Sequence, residues 1–118
     1  MPILELLIQT YKLWQEYLLH FPKTSRYTLG AKIDTLFLAS IEQLFIAAHS
    51  KPDKKLPHLK VAISNLDLLK FFLQVAWEIK TINNKRFIAI SKNLLKIGRM
   101  LGGWQKDIIK KLPPEAEE

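Results

Sequence analysis

Where the prolines fall constrains this chain most. Its six prolines stand at positions 2, 22, 52, 57, 113 and 114 and leave three long proline-free stretches. A proline inside a helix costs roughly 3 kcal/mol, so long helices belong in the stretches between them. A further break falls at Thr81-Ile82-Asn83-Asn84, where β-branched and asparagine residues favour a turn and a helix N-cap. Four segments result: residues 3–21, 25–50, 57–81 and 84–112. Each is longer than a typical strand, and none alternates apolar and polar residues with period two. The pattern predicts four helices and an all-α fold.

At 118 residues, 48% of them hydrophobic and 25% charged, the chain has room for one domain with a core and is too short for two ordinary ones. The expected domain is residues 1–112, with 113–118 as a short tail carrying Glu115, Glu117 and Glu118. The longest uncharged run, Gln43 to Ser50, is eight residues. A membrane-spanning helix needs roughly 20. The N-terminal residues lack the pattern of a secretory signal, and the absence of cysteine excludes disulfides, thiolate metal sites and cysteine nucleophiles. Together these features predict a cytoplasmic setting and no membrane partner.

Charge is unevenly placed. The net charge is +7, and residues 84–112 hold eight basic side chains against the single acid Asp107. The rest of the chain is neutral overall. At about 100° per residue, Phe87, Ile90, Leu94, Ile97, Leu101, Trp104, Ile108 and Leu112 share one broad helical face. Lys85, Lys92, Lys96, Arg99, Lys106 and Lys110 fall within an arc of about 80° on the other side. No acid interrupts that stripe, although like charges three or four residues apart repel by a few tenths of a kcal/mol. These six residues are the expected contact for an anionic partner, either a polyanion or an acidic protein surface.

The third segment has more apolar surface than one side of a bundle can bury. Val61, Leu68, Phe71, Phe72, Val75 and Ile79 occupy one flank, and Leu59, Ile63, Leu66, Leu69, Leu73 and Trp77 the other. The first segment is similarly rich, from Ile3 to Phe21. Excess of this kind on two helices predicts a homo-oligomer. Gly98, Gly102 and Gly103 add a bare strip to the fourth segment, each costing roughly 1 kcal/mol relative to alanine. Close helix packing is the expected reason, with a hinge or helix end at Gly102-Gly103 as the alternative. Trp14, Trp77, Trp104, Phe71 and Phe72 lie at core spacing, so they are expected inside the bundle rather than stacked on bases.

Signals of catalysis are missing. His20, His49 and His58 lie at helix ends or in loops, without partners at metal-ligand spacing. Glu5, Glu16, Glu42 and Glu78 could face inward on four helices, but the Glu-x-x-His of a di-iron bundle never occurs. Ser40, Ser64 and Ser91 have no nucleophile-elbow context. The expectation is a non-enzyme with no metal or cofactor.

The segment Ile97-Gly98-Arg99-Met100-Leu101-Gly102-Gly103-Trp104 resembles the Gly-Arg-x-Leu-Gly-x-Trp signature of Avd, the accessory variability determinant of diversity-generating retroelements. Pro22 to Gly30 resembles the first interhelical turn of the wider four-helix family, which includes the intervening-sequence proteins of ribosomal RNA genes. The run Leu36-Phe37 to Phe45-Ile46-Ala47-Ala48 is similar to the second Avd helix. The resemblance implies an antiparallel up-down four-helix bundle, assembled as a basic homopentamer. It further implies an accessory protein that binds nucleic acid and the reverse transcriptase during mutagenic copying of template RNA. Gly98, Arg99, Leu101, Gly102 and Trp104 match its signature, in packing or interface roles. The acidic tail departs from the basic tails of Avd. The alternative is a protein-interaction module like the intervening-sequence relatives.

Overall fold

The computed structural model describes residues 1–113. The acidic tail expected at the C-terminus lies outside the described residues but for Pro113. Four long helices dominate: α1 (Pro2–Leu18), α2 (Ala31–His49), α3 (Lys55–Glu78) and α4 (Asn84–Lys111). Each packs against its neighbours in sequence, and α1 closes the ring against α4. The result is the expected up-down bundle, 49 Å long and 22 by 21 Å across.

Buried side chains recur every three or four residues along each helix, the spacing that keeps one stripe facing a common axis. They are Ile3, Leu7, Thr10 and Trp14 on α1, and Ile90, Leu94, Ile97, Leu101 and Ile108 on α4. The two buried hydroxyls cost little because each is paired: Thr10 donates to the Leu6 carbonyl at 2.7 Å and Ser40 to that of Leu36 at 2.8 Å. One end of the core is aromatic. Trp14 stacks on Phe37 with centroids 6.0 Å apart and takes Phe21 edge-on at 5.3 Å. The Trp14 indole N–H donates to Asp34 on α2 at 3.1 Å, and Gln15 donates to the same carboxylate oxygen at 2.9 Å.

The helix ends differ from expectation for local reasons. α1 stops at Leu18 rather than residue 21, because the chain turns so that Phe21 can tuck beneath Trp14, where it is 2% exposed. Arg26 then donates to the Leu19 and Phe21 carbonyls that the turn leaves free. The second segment opens with a helical turn, Lys23–Ser25, and a wider π turn, Arg26–Gly30, before α2 proper. Gly30 is buried there: a Cβ would sit 2.7 Å from Leu18 Cδ1. α3 begins two residues early because Pro57 falls in its first turn, where no intrahelical N–H bond is lost. It ends at a Schellman motif: Thr81 N–H bonds the Ala76 carbonyl, Lys80 N–H bonds that of Trp77, and Lys80 takes φ 65°. Asn83 caps α4, its side chain accepting from Arg86 N–H at 2.9 Å.

Candidate nucleic-acid interface

α4 owes its orientation to its own pattern. Its buried residues are the expected ones, with Phe87, Trp104 and Leu112 half-buried against the core. That fixes the opposite side outward, and Lys85, Lys92, Lys96, Arg99, Lys106 and Lys110 are all exposed along it. Between Lys85 and Lys110 the stripe covers roughly 38 Å of helix. Among the described residues, no carboxylate lies within 4.0 Å of any of the six. Positive charge is thus concentrated on one edge of the bundle, with no carboxylate among the described residues paired to it.

Two other cations of the chain have structural work instead. Lys55 Nζ donates to the Ala47 and Ala48 carbonyls at the end of α2 and lies 6.0 Å from the Trp104 ring centroid. The Arg86 guanidinium sits 5.8 Å from the Tyr17 ring, tying α4 to α1. Neither belongs to the stripe. The signature residues divide in the same way: Leu101 is core, Trp104 is half-buried beneath Lys55, and Arg99 is exposed.

The glycines correct one expectation. α4 passes through Gly102-Gly103 without a hinge or an end. A Cβ at Gly98 would meet only Lys70 Nζ, at 3.0 Å, and at Gly102 or Gly103 nothing within 4 Å. No described helix of the same chain packs closely over Gly102.

The sequence-predicted core aromatics also divide. Trp14 is fully buried, whereas Phe71 is 55% and Trp77 40% exposed. Trp77 packs flat on Phe87, centroids 5.2 Å apart, and donates to Asn84, so it braces the α3–α4 corner. Phe71 belongs to the outer flank of α3 with Val61, Leu68 and Ile79, all exposed, while Leu59, Leu66, Leu69 and Leu73 form the inner flank. On α1 the excess is mostly absorbed by the bundle, and after the first residue only Ile8, with Leu19 just past the helix end, stays exposed among the large apolar residues there. Leu38 and Phe45 on α2, and Ile88 and Leu95 beside the basic stripe, are exposed apolar residues that sequence reasoning missed. Leu38 and Phe45 extend the four-three-four spacing of Asp34 and Ile41, and that spacing was the available signal.

The remaining candidates do not converge. Glu5, Glu16, Glu42 and Glu78 are all exposed. His49 contacts the Phe45 carbonyl and His58 the Gln43 side chain. No group of three or more metal-ligating side chains occurs among the described residues. No described helix is long and apolar enough to cross a membrane.

The sequence model of the bAvd-like family matches residues 5–108, the whole bundle apart from its extreme ends. The chain belongs to the bAvd-like family. Comparison with curated proteins gives no match. Membership makes it an Avd-type accessory protein, and the bAvd-like match ends at Ile108, two residues before the last cation of the stripe.

Proposed function

We propose that this chain is the accessory protein of a diversity-generating retroelement. In this reading it forms a homo-oligomeric ring, its α4 stripes holding nucleic acid beside the reverse transcriptase in the cytoplasm. The observation that carries the reading is the exposed stripe of Lys85, Lys92, Lys96, Arg99, Lys106 and Lys110 on a bAvd-like chain, unpaired with any carboxylate among the described residues. Cations lined up on one helix face suit the phosphate backbone and give affinity with little sequence preference. The protein supplies a field and a surface, with no catalytic group of its own.

Two apolar faces support assembly. Leu4, Ile8, Tyr11 and Gln15 follow one another on α1 as Asp34, Leu38, Ile41 and Phe45 do on α2, and Gln15 meets Asp34. Together they make one outer face. Val61, Ser64, Leu68, Phe71 and Val75 repeat at the same spacing on α3 and make a second, with no charged residue among them. The faces lie on adjacent sides of a four-sided bundle. Pairing the first face of one copy with the second face of the next is heterologous, and a turn of this size closes a ring of roughly four or five. Such a ring turns every α4 stripe outward. A pentamer fits that range.

The deciding experiment is light-scattering mass on a size-exclusion column, with and without a uniform-sequence RNA, across a salt series. The expected result is a mass of about five chains that carries RNA, with affinity falling steeply as salt rises. A monomer that ignores RNA overturns the reading. Exposed Ile88 and Leu95 beside the stripe favour a second reading, an interaction module that meets an acidic protein surface. Under it, excess nucleic acid fails to displace the protein partner.

A further inference from the structure

Between α3 and α4 runs a groove of about 260 Å³, lined by Ile63 and Leu66 on one side and by Leu95, Gly98, Leu101 and Gly102 on the other. Its floor is open over Gly102, where an added Cβ would meet nothing within 4 Å. Toward the start of α4, Ile88 is 63% and Leu95 52% exposed, which continues the apolar track along the helix. One rim is the basic stripe, at Arg99 and its neighbours Lys92 and Lys106. The other carries Asp67, whose carboxylate is 3.9 Å from Lys70.

We propose that this groove docks an amphipathic helix of a protein partner, its apolar residues resting on Leu95 and Gly102 and its carboxylates lying along the Lys92, Arg99 and Lys106 rim. An extended peptide is a poor occupant. The backbone groups in the middle of α3 and α4 are already bonded within their helices, so a strand would leave its own N–H and C=O groups unpaired against apolar side chains. A helix arrives with those groups satisfied, and it can approach closest where the floor has no Cβ. A second copy is disfavoured by charge: each chain carries +7, and the excess is concentrated on this rim. A phosphate backbone has nothing apolar to set against Ile88 and Leu95. The inference deepens the accessory reading by giving its protein partner a surface, and its test separates the two.

The probe is a labelled synthetic helix with leucines on one face and glutamates along one flank, and a twin with lysines in place of the glutamates. Anisotropy with the full chain in moderate salt is expected to show saturable binding of the glutamate helix, at least about tenfold tighter than the lysine twin. Gly102→Trp fills the open floor and is expected to weaken the glutamate helix at least about tenfold, leaving the affinity for oligouridine unchanged. Gly102→Leu, a smaller plug, is expected to do the same in part, and unchanged helicity by circular dichroism shows that both variants fold. Equal affinity of the glutamate helix for the parent and the folded Gly102→Trp chain overturns the proposal. So does loss of oligouridine binding in that variant, which would place RNA in the groove. If the helix behaves as expected and oligouridine never binds, the docking site stands and the nucleic-acid reading falls.

Discussion

The outer faces of α3 and α4 lie side by side on one bundle and follow opposite rules. The α3 face, from Val61 through Leu68 and Phe71 to Val75, carries no charge, and the α4 face carries six cations and no acid before Asp107. Neither suits a chain that only has to stay folded and dissolved. Solubility favours interleaved signs and small apolar patches. An apolar seam can be hidden only by something equally apolar, and a cation stripe without paired carboxylates is relieved only by anions. Under the proposed function the contrast separates two kinds of partner on one small scaffold: copies of itself on one side, and acidic or phosphate-bearing molecules on the other.

Breaking the α4 side is expected to have the largest effect. Under the proposed function, changing Lys92, Lys96 and Arg99 together to glutamate removes three phosphate contacts and adds three repulsions. RNA affinity at moderate salt should fall by at least about a thousandfold, and the salt slope should lose about two, at about 0.7 per phosphate contact on a single strand. Helicity should persist, because all three side chains are exposed. Unchanged affinity in a filter-binding assay would place the contact elsewhere. Breaking the α3 side should leave RNA contact per chain intact and change mass instead. Leu68→Glu with Phe71→Lys puts opposite charges one helical turn apart, where they support the helix while spoiling the seam. Light scattering should then report single chains, and an undiminished mass would remove the α3 face from the assembly.

How far the sequence announced this contrast depended on each helix's own pattern. α4 was legible almost residue by residue, because its apolar and basic arcs are widely separated and only one orientation buries the first. α3 was not. Its apolar arc spans both flanks, so the side that faces inward is decided by neighbouring helices, and Phe71 was misplaced in the core for that reason. Leu38 and Phe45 escaped notice because α2 is apolar over most of its length, which hides an outer face within a general richness. The π turn at Arg26–Gly30 was invisible too. Apart from its glycine, nothing in Arg-Tyr-Thr-Leu-Gly disfavours an ordinary helix, and the close contact over Gly30 comes from Leu18, on another helix.

Two glycine substitutions sharpen the comparison by moving stability in opposite directions. Gly30→Ala forces a methyl group onto the half-buried Leu18 beside Phe21 and should destabilise by about 1–3 kcal/mol. Gly102→Ala meets open space in the middle of α4 and should stabilise the isolated chain by up to about 1 kcal/mol. Chemical denaturation measures both. A destabilised Gly102→Ala would mean that glycine there serves the chain's own fold rather than its outer surface.

The smallest expected effect is a titration, and it probes the α1–α2 face that α3 is proposed to meet. Tyr11 lies on that face, edge-on to Phe37 with centroids 5.7 Å apart. Burial chiefly, and then the hydrogen bond and negative charge of Asp34, push its hydroxyl above the ordinary value of 10.0, while the bond from Gln15 pulls the other way. A raised folded-state value means that the folded chain holds this proton more tightly than the unfolded one. The associated stability is therefore present below pH 10 and is lost as pH rises through the raised value. Asp34→Asn removes the charge but not the burial, so the phenolate absorbance of Tyr11 should move back only part of the way, and complete reversal would mean that Asp34 outweighs burial. Assembly adds a further step. If the α3 seam of one copy covers Ile8 and Leu38 of the next, Tyr11 is more deeply buried in the ring than in the single chain. The Leu68→Glu, Phe71→Lys variant should then titrate Tyr11 closer to 10.0 than the parent does. Identical titrations in an assembled parent and a monomeric variant would show that the α3 seam meets some other surface.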